Sequence, residues 1–195
     1  MLPDICQMAL KEWAVTVRAL AKGQQVLLLR KGGIHESSKD FRVIHSDFLL
    51  YPTYEHQRED LLKDGHRSSL RDVLEEPRQD DQITFSHWAR VEETIEVSQQ
   101  DKVDDLSPHY IWTNEYAQSR LRWKPKLPLS VLLLRVYSLE QPVRVPFLPK
   151  YQGCTSWVEV LDPVPLRRLE PVLGDEEFRR QVDEIKGSIG IPVGT

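Results

Sequence analysis

Leu129-Ser130-Val131-Leu132-Leu133-Leu134-Arg135-Val136-Tyr137-Ser138-Leu139 is the stretch on which the fold turns. The unbroken apolar run from Val131 to Leu134 is too short for a core helix. It is also too continuous for a strand with one wet face, so it reads as a strand buried on both sides, in the middle of a sheet. Pro142–Pro149 continues it as extended chain. Toward the N-terminus, Trp13, Val15 and Val17 alternate with Ala14, Thr16 and Arg18, a period of two. The turn Ala21-Lys22-Gly23-Gln24 and the apolar Val26–Arg30 complete an expected β-hairpin. Further strands are expected at Phe41–Ile44, Phe48–Tyr51, Ile83–Phe85, Val91–Val97 and Ser156–Val160, the last broken by Pro163 and Pro165.

Helices fill the intervals. Asp4 and Gln7 suggest a capping box for a short helix that opens the chain, with Ile5, Met8 and Ala9 on one side. Thr53 is placed to cap Tyr54–Lys63, Ser69 to cap Leu70–Glu76, and Thr113 to cap a helix through Arg122. Asp175–Lys186 has acids in its first turn, the stripe Phe178, Val182 and Ile185, and Gly187 at its stop. These elements predict an α+β fold: a mostly antiparallel sheet, short helices and a C-terminal amphipathic helix. Pro77–Gln82 is a polar seam, so the expectation is one domain over 1–195, or two lobes at 1–76 and 83–195.

Composition narrows the function. The chain has 195 residues, 40% of them apolar, and a mean hydropathy of -0.45, an ordinary globular composition. Its net charge of -4 argues against a generic DNA-coating protein. The charge is uneven, however: +2 over residues 1–54, -8 over 55–108, +5 over 109–168 and -3 beyond. Cys6 and Cys154 are too few for a disulfide framework, and no signal-like start or membrane-length apolar run is visible, so a cytoplasmic protein is expected.

Several chemistries find no residues to carry them. There is no phosphate-cradling glycine motif, no G-x-S-x-G elbow, no C-x-x-C, and no clustered histidine spacing among His35, His45, His56, His66, His87 and His109. No metal site and no cofactor are therefore expected. Glu184-Ile185-Lys186 is the one Glu-x-Lys, and it falls on the terminal helix rather than at strand ends, which is the wrong setting for a metal-dependent nuclease.

Four groups of residues remain as candidates. Arg30 and Lys31 before Gly32-Gly33 suit a phosphate or carboxylate, or a solvated turn. Glu55 and His56, in Tyr51-Pro52-Thr53-Tyr54-Glu55-His56-Gln57, pair an acid with an imidazole, or simply start a helix. Cys154, in Tyr151-Gln152-Gly153-Cys154-Thr155-Ser156-Trp157, is either a nucleophile or a small buried hydrophobe. Trp112, Arg120, Arg122, Trp123, Lys124 and Lys126 interleave aromatics with cations, a composition that suits single-strand binding or a core edged by snorkelling lysines.

The motifs Ala9-Leu10-Lys11-Glu12-Trp13-Ala14-Val15, Leu27-Leu28-Leu29-Arg30-Lys31-Gly32-Gly33-Ile34 and Tyr51–Gln57 recur in one order with three more. These are Ile111-Trp112-Thr113, Val131–Tyr137 and Tyr151-Gln152-Gly153-Cys154-Thr155-Ser156-Trp157-Val158-Glu159. Together they resemble a largely cyanobacterial family, the domain of unknown function 1802. Some members are joined to a restriction-endonuclease-type domain, so the resemblance implies a restriction-related accessory or recognition role beside nucleic acid. Nucleic acid or a nuclease protein is then the implied partner, and the family brings no assigned active residues. The sequence thus leads to a nucleic-acid-associated module using Arg30, Lys31 and the 109–168 segment. Its rival is a small metal-independent enzyme with a pocket of Lys31, Glu55, His56 and Cys154.

Overall fold

The computed structural model describes residues 2–31, 45–153 and 155–192. Its centre is a seven-stranded sheet. β1 (Ile5–Trp13), β2 (Leu27–Arg30), β3 (Asp47–Thr53), β4 (Gln82–Val97), β5 (Leu129–Pro146) and β6 (Trp157–Pro165) lie in the order β2-β5-β4-β3-β1-β6, and β7 (Leu169–Pro171) pairs with β5. β1 and β3 run parallel, and the other pairings are antiparallel. The α+β class, the mostly antiparallel sheet and the C-terminal helix are as expected. The sheet takes strands from both sides of Pro77–Gln82.

β5 is central, as its composition requires: Val131, Leu132, Leu133 and Leu134 have essentially no solvent exposure. Side chains alternate between two cores. On β3, Phe48 and Leu50 join a large cluster under the helices, whereas Leu49 and Tyr51 join a second cluster with Phe85, Trp88, Tyr151, Val158 and Val160. β4 and β5 pair from one end to the other except at Leu139–Pro142, and register shifts between Phe85 and His87 and between Val91 and Glu93 bend the pair. The two short strands expected at Ile83–Phe85 and Val91–Val97 are therefore one, with the ambiguous Glu92 at the second bulge.

The opening of the chain departs most from expectation. Residues 5–13 form a strand and α1 (Ala14–Ala21) a helix, the reverse of the helix-then-strand reading, so no hairpin forms. The physical reason is burial. Ala14, Val15, Thr16, Val17, Ala19 and Leu20 are all buried, so apolar residues occupy nearly the whole circumference of α1 and its short alternation carries no period. Asp4 and Gln7 build no capping box, and the Gln7 amide instead donates to the carbonyls of Val160 and Leu161 across the β1–β6 pair. α1 ends in a Schellman motif at Gly23, φ 65°, where Gln24 N–H donates to Ala19 and Gly23 N–H to Leu20.

The expected helix at Tyr54–Lys63 is a turn with a single 3-10 turn at Glu59–Leu61. The Thr53 hydroxyl is drawn away from capping because it donates to the Glu12 carbonyl. α2 (Asp64–Glu75) starts earlier than Leu70. α3 (Gln100–Asp105) precedes α4 (Asn114–Arg122), and the Thr113 hydroxyl caps α4 at Tyr116 N–H as its sequence position suggests. β6 runs through Pro163 and Pro165 because it is the outermost strand of its side, where a missing N–H removes no ladder bond. α5 (Asp175–Ser188) passes Gly187 and stops at Gly190, φ 76°, in a second Schellman motif. The strand expected at Phe41–Ile44 and the residues Gly32, Gly33 and Cys154 lie outside the described residues.

Candidate nucleic-acid interface

Three of the quoted motifs meet at the junction of β1 and α1. Glu12 is the hub: one carboxylate oxygen accepts from Trp13 N–H at 2.9 Å, the other from Arg30 at 2.8 Å. The same guanidinium donates to the Lys11 carbonyl at 2.7 Å, Thr53 Oγ1 to the Glu12 carbonyl at 3.0 Å, and Val15 N–H to Gln57 Oε1 at 3.0 Å. Glu12 and Arg30 are only 9% and 15% exposed, so this ion pair ties the motifs together from inside. The carboxylate also sits at the α1 N-terminus, where the helix dipole favours negative charge.

The cations expected to contact nucleic acid gather around α4. The Lys31 ammonium, at the end of β2 and 4% exposed, donates to the Leu121 carbonyl in the last turn of α4. Burial pushes its pKa down. Arg120 donates to the Tyr116 hydroxyl at 2.9 Å, with its guanidinium carbon 5.0 Å from that ring. Tyr116 is buried between Trp13, at a centroid distance of 5.3 Å, and Trp112, stacked at 5.1 Å. Burial, and then the nearby Glu12 carboxylate, raises the Tyr116 pKa. Trp112 is therefore a core residue and offers no ring face to solvent.

Immediately after α4 the chain turns outward. Arg122, Trp123, Lys124 and Lys126 are all exposed, and Trp123 keeps half of its surface (50%) in solvent. Lys124 has a left-handed backbone, φ 50°, which a non-glycine residue seldom adopts and which the following Pro125 discourages from turning helical. Its ammonium lies 4.6 Å from the Trp123 ring. Trp112, the tryptophan expected at a nucleic-acid surface, is thus in the core, and the exposed indole of the stretch is Trp123.

The residues named for a small-enzyme pocket stand apart. Glu55 and His56 are almost fully exposed on the turn after β3, 4.0 Å from one another, and His56 has φ 62°. Lys31 is buried against α4, and no contact among the described residues joins it to Glu55 or His56. Cys154 lies outside the described residues, although the Lys11 ammonium donates to the carbonyls of Tyr151 and Gly153 just before it. Among the described residues no group of three or more metal-ligating side chains is present.

The fold and these contacts define an α+β protein built on one mixed sheet, with exposed cations after α4 and a buried ion-pair hub where β1 meets α1. The chain belongs to the family described as a domain of unknown function, DUF1802, whose pattern matches residues 9–184. No curated protein matches it. Among solved structures it is similar to a serine-to-alanine mutant of ZmASCH from Zymomonas mobilis, at 12% identity and a TM-score of 0.44, covering 93% of this chain and 98% of that one. It is likewise similar to ASCH from Zymomonas mobilis, at 12% identity and a TM-score of 0.41, covering 90% of this chain and 93% of that one. Likeness at this level carries nothing about chemistry. No helix among the described residues is long and apolar enough to cross a membrane.

Proposed function

We propose that this chain is a nucleic-acid-associated recognition module that contacts single strands through the turn after α4. The observation that supports it is Trp123. It is the tryptophan left exposed, Lys124 lies over its ring, and the exposed Arg122 and Lys126 flank it in the chain. A base stacked on an indole gains about 1–3 kcal/mol, and flanking cations supply the phosphate contacts. The left-handed Lys124 fixes the turn that presents the ring, and backbone strain of this kind is often kept where a surface is used. Such a module suits the accessory role beside a restriction-type nuclease that the family resemblance implies.

Fluorescence anisotropy with labelled single-stranded DNA and RNA tests the reading. Binding at low salt should weaken steeply as salt rises. Trp123→Ala should weaken it about tenfold with little change in salt slope, as expected for a lost stack. Lys126→Ala should reduce the slope by about one, as expected for a lost phosphate contact. Absence of binding to either strand type at low salt, or full affinity in Trp123→Ala, overturns the reading.

A further inference from the structure

The basic residues of this interface fall into two sets. Arg122, Lys124 and Lys126 are exposed, whereas Arg30 and Lys31 are 15% and 4% exposed. The buried pair grips the base of the turn. Arg30 ends β2 and lies opposite Ser130, where the chain has just returned from α4 into β5. Lys31 follows it, and its ammonium donates to the Leu121 carbonyl, where the chain is about to leave α4. Two consecutive residues therefore hold both ends of residues 122–129, which carry Trp123, Lys124 and Lys126.

The Leu121 carbonyl needs such a donor. It lies in the last turn of α4, where carbonyls lack partners within the helix, and the residue four places on is Pro125, which has no N–H to offer. Lys31 supplies the bond from a different strand and so ties the helix end to β2. Two further bonds fix the chain beyond it. Trp123 N–H donates to the Ser119 carbonyl at 3.0 Å, and Leu127 N–H to the Lys124 carbonyl at 2.9 Å, which closes a turn over Pro125 and Lys126. The indole and its cations are thus displayed on a turn bonded at three carbonyls. A surface ordered beforehand loses less freedom when a ligand settles on it, and affinity rises accordingly.

We propose that Lys31 is a positioning residue of this interface. By pinning the Leu121 carbonyl to the end of β2 it holds the Trp123–Lys126 turn in the shape that receives a strand, and it touches no phosphate itself. What the turn receives rests on the nucleic-acid reading; the pinning of α4 to β2 does not.

Anisotropy of a labelled single-stranded oligonucleotide across a salt series separates positioning from contact. Lys31→Met, which keeps the aliphatic stem, should weaken binding about fivefold and leave the salt slope as in the wild type. Lys31→Arg, which keeps the donor, should restore most of the affinity. A lysine that contacts phosphate would instead lower the slope by about one. That result overturns the proposal, as does full affinity in Lys31→Met. Pro125→Gly frees the turn from its exposed side without touching Lys31. It should show the same loss at unchanged slope, and full affinity there overturns the proposal even where Lys31→Met does not fold.

Limited trypsin digestion reads the same turn with no nucleic acid present. Cleavage after Arg122 and Lys126, identified by fragment mass, should be severalfold faster in Lys31→Met than in the wild type and near the wild-type rate in Lys31→Arg. Equal rates in all three overturn the pinning. If no oligonucleotide binds the wild type, the nucleic-acid reading is refuted and the trypsin rates alone decide the pinning: faster cleavage in Lys31→Met upholds it, and equal cleavage refutes it.

Discussion

Removing the Glu12 carboxylate should be among the more damaging single changes to this fold, and the structure sets the size of the effect. Glu12→Ala deletes the 2.8 Å contact to Arg30 and the 2.9 Å acceptor for Trp13 N–H. Stranding one partner of a buried pair costs about 3–5 kcal/mol. Arg30 keeps its bond to the Lys11 carbonyl and is 15% exposed, so the lower end applies, with about 1 kcal/mol more for the Trp13 donor. The expected loss is roughly 4 kcal/mol.

Glu12→Gln retains an acceptor for Trp13 and should cost about half as much. Arg30→Met should cost roughly 3 kcal/mol, because the carboxylate is then left without its counter-charge. The double variant Glu12→Gln/Arg30→Met should be less destabilised than the sum of the singles by about 2 kcal/mol, since neither charge is left alone. Urea unfolding with linear extrapolation measures all four proteins, with coincident fluorescence and circular-dichroism transitions as the test of two-state behaviour. The wild-type coupling should survive in molar salt, because a pair shielded from solvent is little screened. A coupling below about 0.5 kcal/mol, or one that salt abolishes, would refute the interior tie.

Gly23→Ala should cost about 2–4 kcal/mol. The new Cβ would fall 2.4 Å from Leu173 Cδ2 and 2.8 Å from its Cγ, at a left-handed φ of 65°. Gly65→Ala, with nothing within 4 Å, should not destabilise α2, and equal losses in the two would sink the steric argument. Stability should also fall with acid. Burial holds His66, His87 and His109 below the ordinary value of 6.5, His66 with help from the Lys63 ammonium and His109 against the pull of Glu184. Above 6.5 both states are neutral at these sites and stability is full. As pH falls below 6.5 the unfolded chain binds protons first, so stability drops until the folded-state values are passed. Unfolding midpoints from pH 7.5 to 5 measure the slope, and His87→Gln should flatten it.

How much of this was legible in the sequence depended on how local the cause was. β5 needs only its composition, because a run buried on both faces looks the same in any register. α4 and α5 announce themselves through Thr113, through the acids Asp175, Glu176 and Glu177, and through a stripe of one period. The β1–α1 exchange was not legible. A strand lying between a parallel partner and an antiparallel one is chosen by residues more than thirty positions away, such as Leu49 and Val158 opposite Ala9. The same holds for the hub. Lys11, Glu12, Arg30, Thr53 and Gln57 look like surface chemistry in sequence, and only the meeting of β1, β2 and β3 shows that they face one another. Trp112 and Trp123 are equally aromatic and equally close to cations. The Thr113 cap places one on the core side of α4, and the left-handed Lys124 turns the other outward.

The charge distribution acquires a different meaning once the ion pairs are placed. Part of the +5 of residues 109–168 is consumed elsewhere: Arg135 is buried on Asp175 of the acidic tail at 2.6 Å, and Arg168 faces Glu170 at 3.4 Å. Part of the deficit of residues 55–108 is likewise spent, with Glu76 on Arg18 and Glu93 on Lys186. Among the described residues of 109–168, Arg144, Lys150 and Arg167 lie unpaired elsewhere, and Arg122, Lys124 and Lys126 follow one another without an ion pair at the end of α4. Their position at the C-terminal end of α4 is favourable for the helix dipole, but that interaction is worth only about 0.3–1 kcal/mol for a cation at the surface and fades within one turn. It does not account for Lys31, which follows β2 and donates to the Leu121 carbonyl in the last turn of the same helix. Exposed cations flanking an open indole, more of them than the dipole of one helix end explains, are the arrangement expected of a surface that meets a nucleic acid strand.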